Sequence, residues 1–313
     1  MNTNENKVRG SHMSREDYWE AVRQNLLSLE PLRNLLAQSH SNLIVSGNGY
    51  SLRYETPTGK SMTLVLNEQD TRSASFTILA EGSYEGFLET LILNLAGGSS
   101  TFLDIGANAG FYSVGSALTN TNLKVHAFEP NPNVARDLRD NVSKNLVSEN
   151  VQIHNFGLSD SEGKADFFVP AFTGTGGGSL RDLHPEEGRL ENLVVDLKTL
   201  DSLGIEGVDL VKLDVEGNEL STIQGGLGLF QSSKPTLVVE LLRKWMSPFG
   251  HKPQDVIQLL VPLGYKCLAV GSNELTRIEQ IDDLTSETNF VFLHEDREDH
   301  LRVIENMTGS TIN

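Results

Sequence analysis

From residue 101 onward, short apolar runs alternate with stretches of helical period, and that alternation leaves few folds open. Strands are expected over 101–105, 124–129, 151–156, 209–215, 236–241, 265–270 and 289–294. Val134, Leu138, Val142 and Leu146 mark a helix over 131–147, and Leu220, Ile223, Leu227 and Phe230 mark one over 219–230. A further helix follows Pro253 over 254–263, and another leads in over 84–96. Apolar strands joined by helices pair in parallel and are covered on both faces, so an α/β fold is expected. Ligands of such sheets bind beyond the carboxyl ends of the strands, where the strand order reverses. The residues that end each strand are therefore the candidates for chemistry.

Two regions depart from the alternation. Residues 165–169 and 193–197 read as extra strands of an insertion spanning about 165–197, which contains "GTGGGS" at 174–179. That run lacks the Lys-Ser/Thr pair of a phosphate loop, so it reads as a connector or as a lid over a substrate. Residues 13–83 read as an appendage to a main domain over 84–313. Its expected parts are a helix over 14–39, capped by Ser14, and short strands over 43–45, 50–56 and 62–66. The run Gly10-Ser11-His12-Met13 resembles a cloning scar, which sets residues 1–12 aside and puts the natural start at Met13.

Charge and cysteine usage narrow the partners. A net charge of −17 without a dense basic patch argues against nucleic acid. No apolar run approaches the roughly 20 residues of a membrane span. The single cysteine, Cys267, lies in an apolar run and reads as core. A cytoplasmic chain is the simplest expectation, and a homo-oligomer stays open.

The first strand ends in Asp104-Ile105-Gly106-Ala107-Asn108-Ala109-Gly110. A dinucleotide fingerprint needs G-x-G-x-x-G; here Asn108 stands in place of the middle glycine and Gly110 comes early. The acid two residues before Gly106 suits S-adenosylmethionine, which carries a sulfonium, an ammonium and a carboxylate in place of a pyrophosphate. An acid there can meet the cation, directly or through water, and backbone N–H groups of the turn can hold the carboxylate. Glu129 ends the second strand 19 residues after Gly110, where a carboxylate accepts ribose hydroxyls.

With "DIGANAGFYS" (104–113), "VHAFEPNPNVARDLRDNV" (125–142), "GLSDSEG" (157–163), "LKTLDSL" (197–203), "VDLVKLDVEGNELSTIQGG" (208–226) and "PTLVVEL" (235–241), the chain resembles the FkbM-type S-adenosylmethionine-dependent methyltransferases. The resemblance spans about 85–270. It implies a class I methyltransferase fold: a Rossmann-like, seven-stranded, mostly parallel sheet with the last strand antiparallel and helices on both faces. It further implies that Asp104, Gly106, Asn108 and Gly110 form the methionine-side turn and that Glu129 binds ribose. By the same resemblance Asn131 positions the loop after Glu129, and Asn155, Gly157 and Leu158 flank adenine. Phe111 and Tyr112 are candidates for the pocket wall, one of them as helix core.

Methyl transfer needs the nucleophile about 3 Å from the methyl and in line with the sulfur, and a hydroxyl nucleophile gains from a base. The fourth and fifth strand ends offer Asp214, Glu216 and Glu240 as catalytic candidates; Glu219 reads instead as an acid at a helix N-terminus. Converging carboxylates leave a divalent metal open without supporting it, and no Cys/His spacing suggests zinc. His154 reads as a satisfied buried histidine; His184 and His251 read as surface residues. Trp245, Met246, Pro248 and Phe249 either line an acceptor pocket or pack against the appendage.

The expected activity is methylation of a small molecule, most directly at a hydroxyl oxygen of a sugar or secondary-metabolite intermediate. The alternatives are N-methylation of an amide or amine, peptide side chains included, and a non-catalytic S-adenosylmethionine-binding module. A nicotinamide oxidoreductase is the remaining rival.

Overall fold

In the structure, a computed structural model, the described residues are 42–46, 49–67, 73–170, 177–183, 185 and 190–312. The expected helix over 14–39, residues 47–48 between the first two expected short strands, residues 174–176 of "GTGGGS" and His184 lie outside them.

Three antiparallel strands, β1 (Asn42–Ser46), β2 (Gly49–Glu55) and β3 (Ser61–Leu66), come first. Helices α1 (Ala74–Glu81) and α2 (Phe87–Gly98) lead to β4 (Thr101–Ile105), α3 (Phe111–Thr119), β5 (Lys124–Phe128), α4 (Pro132–Lys144) and β6 (Val151–His154). The insertion follows as β7 (Gly157–Leu158), β8 (Gly163–Pro170) and β9 (Leu190–Lys198). Then come β10 (Leu210–Leu213), α5 (Glu219–Gln224), α6 (Leu227–Ser233), β11 (Thr236–Glu240), α7 (Arg243–Met246) and α8 (Pro253–Leu260). The chain ends with β12 (Tyr265–Val270), β13 (Leu275–Ile278), β14 (Asn289–His294) and α9 (Glu298–Thr308).

The central sheet runs β13-β12-β14-β11-β10-β4-β5-β6. Strands β6, β5, β4, β10 and β11 are parallel, and β14 is antiparallel to both its neighbours. This is the class I methyltransferase arrangement, with an eighth strand added by the β12–β13 hairpin. The order reverses between β4 and β10, so their two exit loops lie side by side. The Asp214 N–H donates to the Ile105 carbonyl at 3.1 Å.

Strand residues alternate between two apolar layers, as period-2 side chains must. Phe102, Val125, Leu210 and Val238 pack under α2, α3 and α4. Leu103, Phe128, Val211, Leu237 and Val239 pack under α5, α6 and α8. Cys267 is buried in the second layer, where loss of solvent pushes its thiol up to about 12.

Three departures from the sequence expectation have local causes. The helix expected over 219–230 is broken at Gly225-Gly226, where residue 225 must be glycine because a β carbon there would stand 2.0 Å from the Ser159 carbonyl oxygen. The Asp201 carboxylate then caps α6 through Gly228 N–H (2.9 Å) and Leu229 N–H (2.8 Å). The strand expected over 151–156 stops at His154. Beyond it the Asn155 side chain donates to the Glu129 and Pro130 carbonyls, and the chain crosses to pair β7 with β9. Helix α2 begins at Phe87 rather than 84, since Glu85 (φ 52) and Gly86 (φ 55) are both left-handed.

The described part of the appendage shares its core with the main sheet. Leu52, Tyr54, Met62 and Leu64 belong to the same apolar cluster as Phe102 and Phe111. Asn141 of α4, 1 % exposed, accepts the Val65 N–H (2.6 Å) on β3 and donates to the Ala109 carbonyl (2.8 Å) in the glycine turn. Asn141→Ala leaves both backbone groups unpaired and is expected to cost about 3 kcal/mol in urea unfolding. Asn141→Asp, which keeps the acceptor, is expected to cost less.

Candidate functional site

A cleft of about 280 Å³ opens beyond the carboxyl ends of β4, β5, β10 and β11. Its floor is the glycine turn. Gly106 (φ 78) passes so close to the next loop that a β carbon would stand 1.7 Å from the Asp214 carbonyl oxygen. Asn108 (φ 50) is left-handed without being glycine, as is Glu216 (φ 52) across the cleft. Such conformations are sparsely populated and persist where the surroundings enforce them. Gly110 (φ 86) faces Leu138, which a β carbon would meet at 2.2 Å.

Glu129 forms one wall. Its Oε1 accepts the Asn131 N–H (2.8 Å) and its Oε2 the Asn108 N–H (3.0 Å), so one carboxylate ties the turn after β4 to the turn after β5. Burial pushes its carboxyl up to about 7, against the pull of those two N–H groups. The side chain of Asn131 caps α4 through the Asn133 N–H, at 3.0 Å. Asn155 holds the carbonyls of Glu129 and Pro130 from outside. Gly157 and Leu158 border the cleft, together with Phe128, Phe156 and Phe111.

Asp104 lies one layer behind the turn, 1 % exposed. Ser113 Oγ donates to its Oδ2 at 2.6 Å, while Oδ1 is buried without a hydrogen-bond partner. Gly110, Asn131 and Asn155 likewise support the cleft from behind rather than line it, whereas Gly106, Asn108, Phe111, Glu129, Gly157 and Leu158 line it. The N–H groups of the turn are spent internally. Gly106 and Ala107 donate to the Phe128 carbonyl, Asn108 to Glu129, Ala109 to the Asn108 side chain and Gly110 to the Ala107 carbonyl.

The opposite wall carries Asp214, Glu216 and Glu240 together. Glu219 holds their loop: its Oε1 accepts the N–H groups of Val215 (3.1 Å) and Gly217 (3.0 Å), and burial pushes it up to about 7. Burial, then the charges of Asp214 and Glu216, hold Glu240 well above the ordinary carboxylate range, so it carries a proton at neutral pH. Trp245 and Phe249 pack against Gly217 behind this loop and do not line the cleft. From the insertion, Phe167, Gly178 and Leu180 close one side, fastened where Ser179 Oγ donates to the Glu216 carbonyl at 2.7 Å.

Two groups come from outside the expected set. Lys212 is 8 % exposed on β10, directly opposite Asp104 in register. Its Nζ donates to Asp214 Oδ2 (3.0 Å) and the Gly106 carbonyl (3.4 Å) and lies 5.6 Å over the Tyr112 ring. Burial opposes its charge, but Asp214, Asp104 and Glu85 outweigh burial and hold it above the usual lysine range. The legible signal was a lone lysine in Leu210-Val211-Lys212-Leu213, a strand apolar on both faces. Glu85 enters from the loop before α2, and its Oε2 accepts the Tyr112 hydroxyl.

Among the described residues, no three His, Cys, Asp or Glu side chains converge to hold a metal ion. No helix there is long and apolar enough to cross a membrane. His154 stacks on Phe128 and meets His126 across 3.1 Å; burial brings His154 down to about 4 and lowers His126 as well. Burial similarly pushes Glu89 up to about 7. Carboxyls raised from 4.5 to about 7 add stability that is complete below 4.5 and lost as pH rises through 7. The raised carboxyls are therefore expected to lift the melting temperature as pH is lowered from 8 to 6.5; below 6.5 the buried histidines His154 and His300, held near 4, oppose them and flatten the rise.

A family model described as "Methyltransferase FkbM domain" matches residues 104–267, just over half of the chain. The hexuronic acid methyltransferase AglP of Haloferax volcanii is 25% identical over 243 residues, covering 78% of this chain and 87% of that protein. Among solved structures, methyltransferase FkbM from Methylobacillus flagellatus KT matches at 17% identity and TM-score 0.40, over 62% of this chain; the chain spans 43% of its length. The O-methyltransferase TomG from Streptomyces achromogenes, solved with S-adenosylmethionine, matches at 13% identity and TM-score 0.38, over 66% of this chain and 80% of that one.

Proposed function

The chain belongs to the FkbM family of S-adenosylmethionine-dependent methyltransferases, and we propose that it methylates a hydroxyl oxygen of a small sugar-like or secondary-metabolite acceptor. The observation that carries this reading is the two-walled cleft: Glu129 and the glycine turn on one side, Asp214, Glu216 and Glu240 on the other. The relative named for hexuronic acid supports a sugar-like acceptor.

The cleft suits the donor. Gly106, without a β carbon, lets the turn close against the Asp214 carbonyl to form the cleft floor, and each oxygen of Glu129 retains a lone pair for a ribose hydroxyl. When bound, the donor supplies a methyl group on a positively charged sulfur. Phe128, Phe156 and Leu158 cover the adenine end and exclude water. Asp214, steadied through Oδ2 by Lys212, would take the hydroxyl proton on its other oxygen as the new C–O bond forms and the methyl–sulfur bond breaks, its electron pair staying on the sulfur, which becomes neutral. Glu240, protonated, donates a hydrogen bond to a neighbouring acceptor oxygen.

N-methylation is the second reading, because Glu240 and Asp214 together offer the donor and acceptor that an amide group needs. The test is turnover of labelled S-adenosylmethionine over an acceptor panel, with products read by mass and fragmentation. Asp214→Asn is expected to lower kcat by about 10²–10⁴-fold while S-adenosylhomocysteine binding persists. Methylation at nitrogen, or an unchanged kcat, overturns the corresponding part.

A further inference from the structure

We propose that Lys212 and Glu85 form the receptor for the amino-acid end of the methyl donor, Lys212 taking its carboxylate and Glu85 its ammonium. The proposal rests on the methyltransferase assignment and deepens it. The starting point is the saturation of the glycine turn: every N–H from Gly106 to Gly110 already donates within the protein. A carboxylate arriving there needs another donor. Among the described residues that line the cleft, Lys212 is the one lysine or arginine.

Its position suits that task. An ammonium has three N–H donors. Two reach Asp214 Oδ2 and the Gly106 carbonyl, which places Nζ on the seam between the turn and the acid wall. A buried ammonium against an incoming carboxylate forms a strong, charge-assisted bond. Glu85 lies across the same corner, with Tyr112 donating to its Oε2 and standing under Lys212. Its left-handed backbone (φ 52) is an uncommon conformation for glutamate, of the kind concentrated at ligand sites. A lysine and a carboxyl flanking one tyrosine match the two groups of an amino acid; burial raises the Glu85 carboxyl, and an arriving ammonium favours its ionised form. Glu85 also lies outside residues 104–267, so the family match assigns it nothing.

The test deletes charges first from the ligand and then from the protein. Calorimetry on the intact chain compares S-adenosylhomocysteine, its decarboxylated analogue, its deaminated analogue and 5′-methylthioadenosine, which lacks the amino-acid end. The wild type is expected to bind the decarboxylated and deaminated analogues each about 10- to 100-fold more weakly than S-adenosylhomocysteine. Lys212→Met is expected to lose a similar factor for S-adenosylhomocysteine and almost nothing for 5′-methylthioadenosine, with partial recovery in Lys212→Arg. Glu85→Gln is expected to erase the penalty for the missing ammonium.

Equal losses for both ligands in Lys212→Met would make the lysine merely structural and overturn its role. Equal wild-type affinity for all four ligands overturns the receptor without touching the methyltransferase assignment. A wild type that binds none of them overturns the assignment itself. The ligand comparison decides the matter even if Lys212→Met does not fold.

Discussion

Gly106→Ala is expected to weaken donor binding about 100-fold or more. Gly106 sits at φ 78, and a β carbon there would lie 1.7 Å from the Asp214 carbonyl oxygen and 2.8 Å from its carbon. The clashing atoms are backbone, so no rotamer change relieves them. Either the turn or the loop after β10 must move, and both border the cleft. Overpacking and the left-handed backbone together are expected to cost about 2–4 kcal/mol of stability. Displacing the cleft floor is expected to lower S-adenosylhomocysteine affinity about 100-fold or more, a loss of roughly 2.7 kcal/mol of binding free energy. Circular dichroism and calorimetry on the same preparation separate the two effects. A folded variant with wild-type affinity would show that the floor yields freely.

The second large effect belongs to Glu129. Its two oxygens accept N–H groups from both turns that build the donor side, at 2.8 and 3.0 Å. Glu129→Ala strands those donors and removes the ribose acceptor together. A stability loss of about 2–4 kcal/mol and an affinity loss of about 100-fold or more are expected. The conservative Glu129→Gln is expected to fall between, because an amide oxygen can satisfy one N–H while its NH₂ opposes the other. In the free protein the Glu129 carboxyl titrates at about 7. Ribose hydroxyls donate to the ionised form, so wild-type affinity is expected to weaken as pH falls from 8 to 6. Stability changes the opposite way over that range, since protonation relieves the burial of the charge. Glu129→Gln is expected to flatten the affinity profile, and a wild-type profile already flat would remove Glu129 from the ribose site.

The division between legible and hidden follows the range of each interaction. The strand ends at Asp104, Glu129, Asp214 and Glu240 were readable because parallel topology carries them all to one edge, however the details fall. Asn131 and Asn155 sit where the motif placed them, but their side chains bond to local backbone, which sequence spacing does not distinguish from ligand contact. Glu85 was hidden because its approach to Lys212 depends on how the loop before α2 folds over the sheet. The coupling of β3 to the glycine turn through Asn141 was hidden for the same reason: three segments distant in sequence meet at one amide.

By itself, then, the sequence determined the class of sheet, the edge at which the cleft opens and the methyltransferase family, because periodicity and strand-end residues act locally and repeat along the chain. Only the tertiary structure decided which groups are free to bind. It showed the turn's N–H groups already spent and Asp104 behind the turn. It also placed Lys212 in the cleft, where its charge stays stable only among the acids that folding gathers around it. Burial and hydrogen-bond satisfaction are properties of neighbours, and neighbours across a sheet are set by the fold.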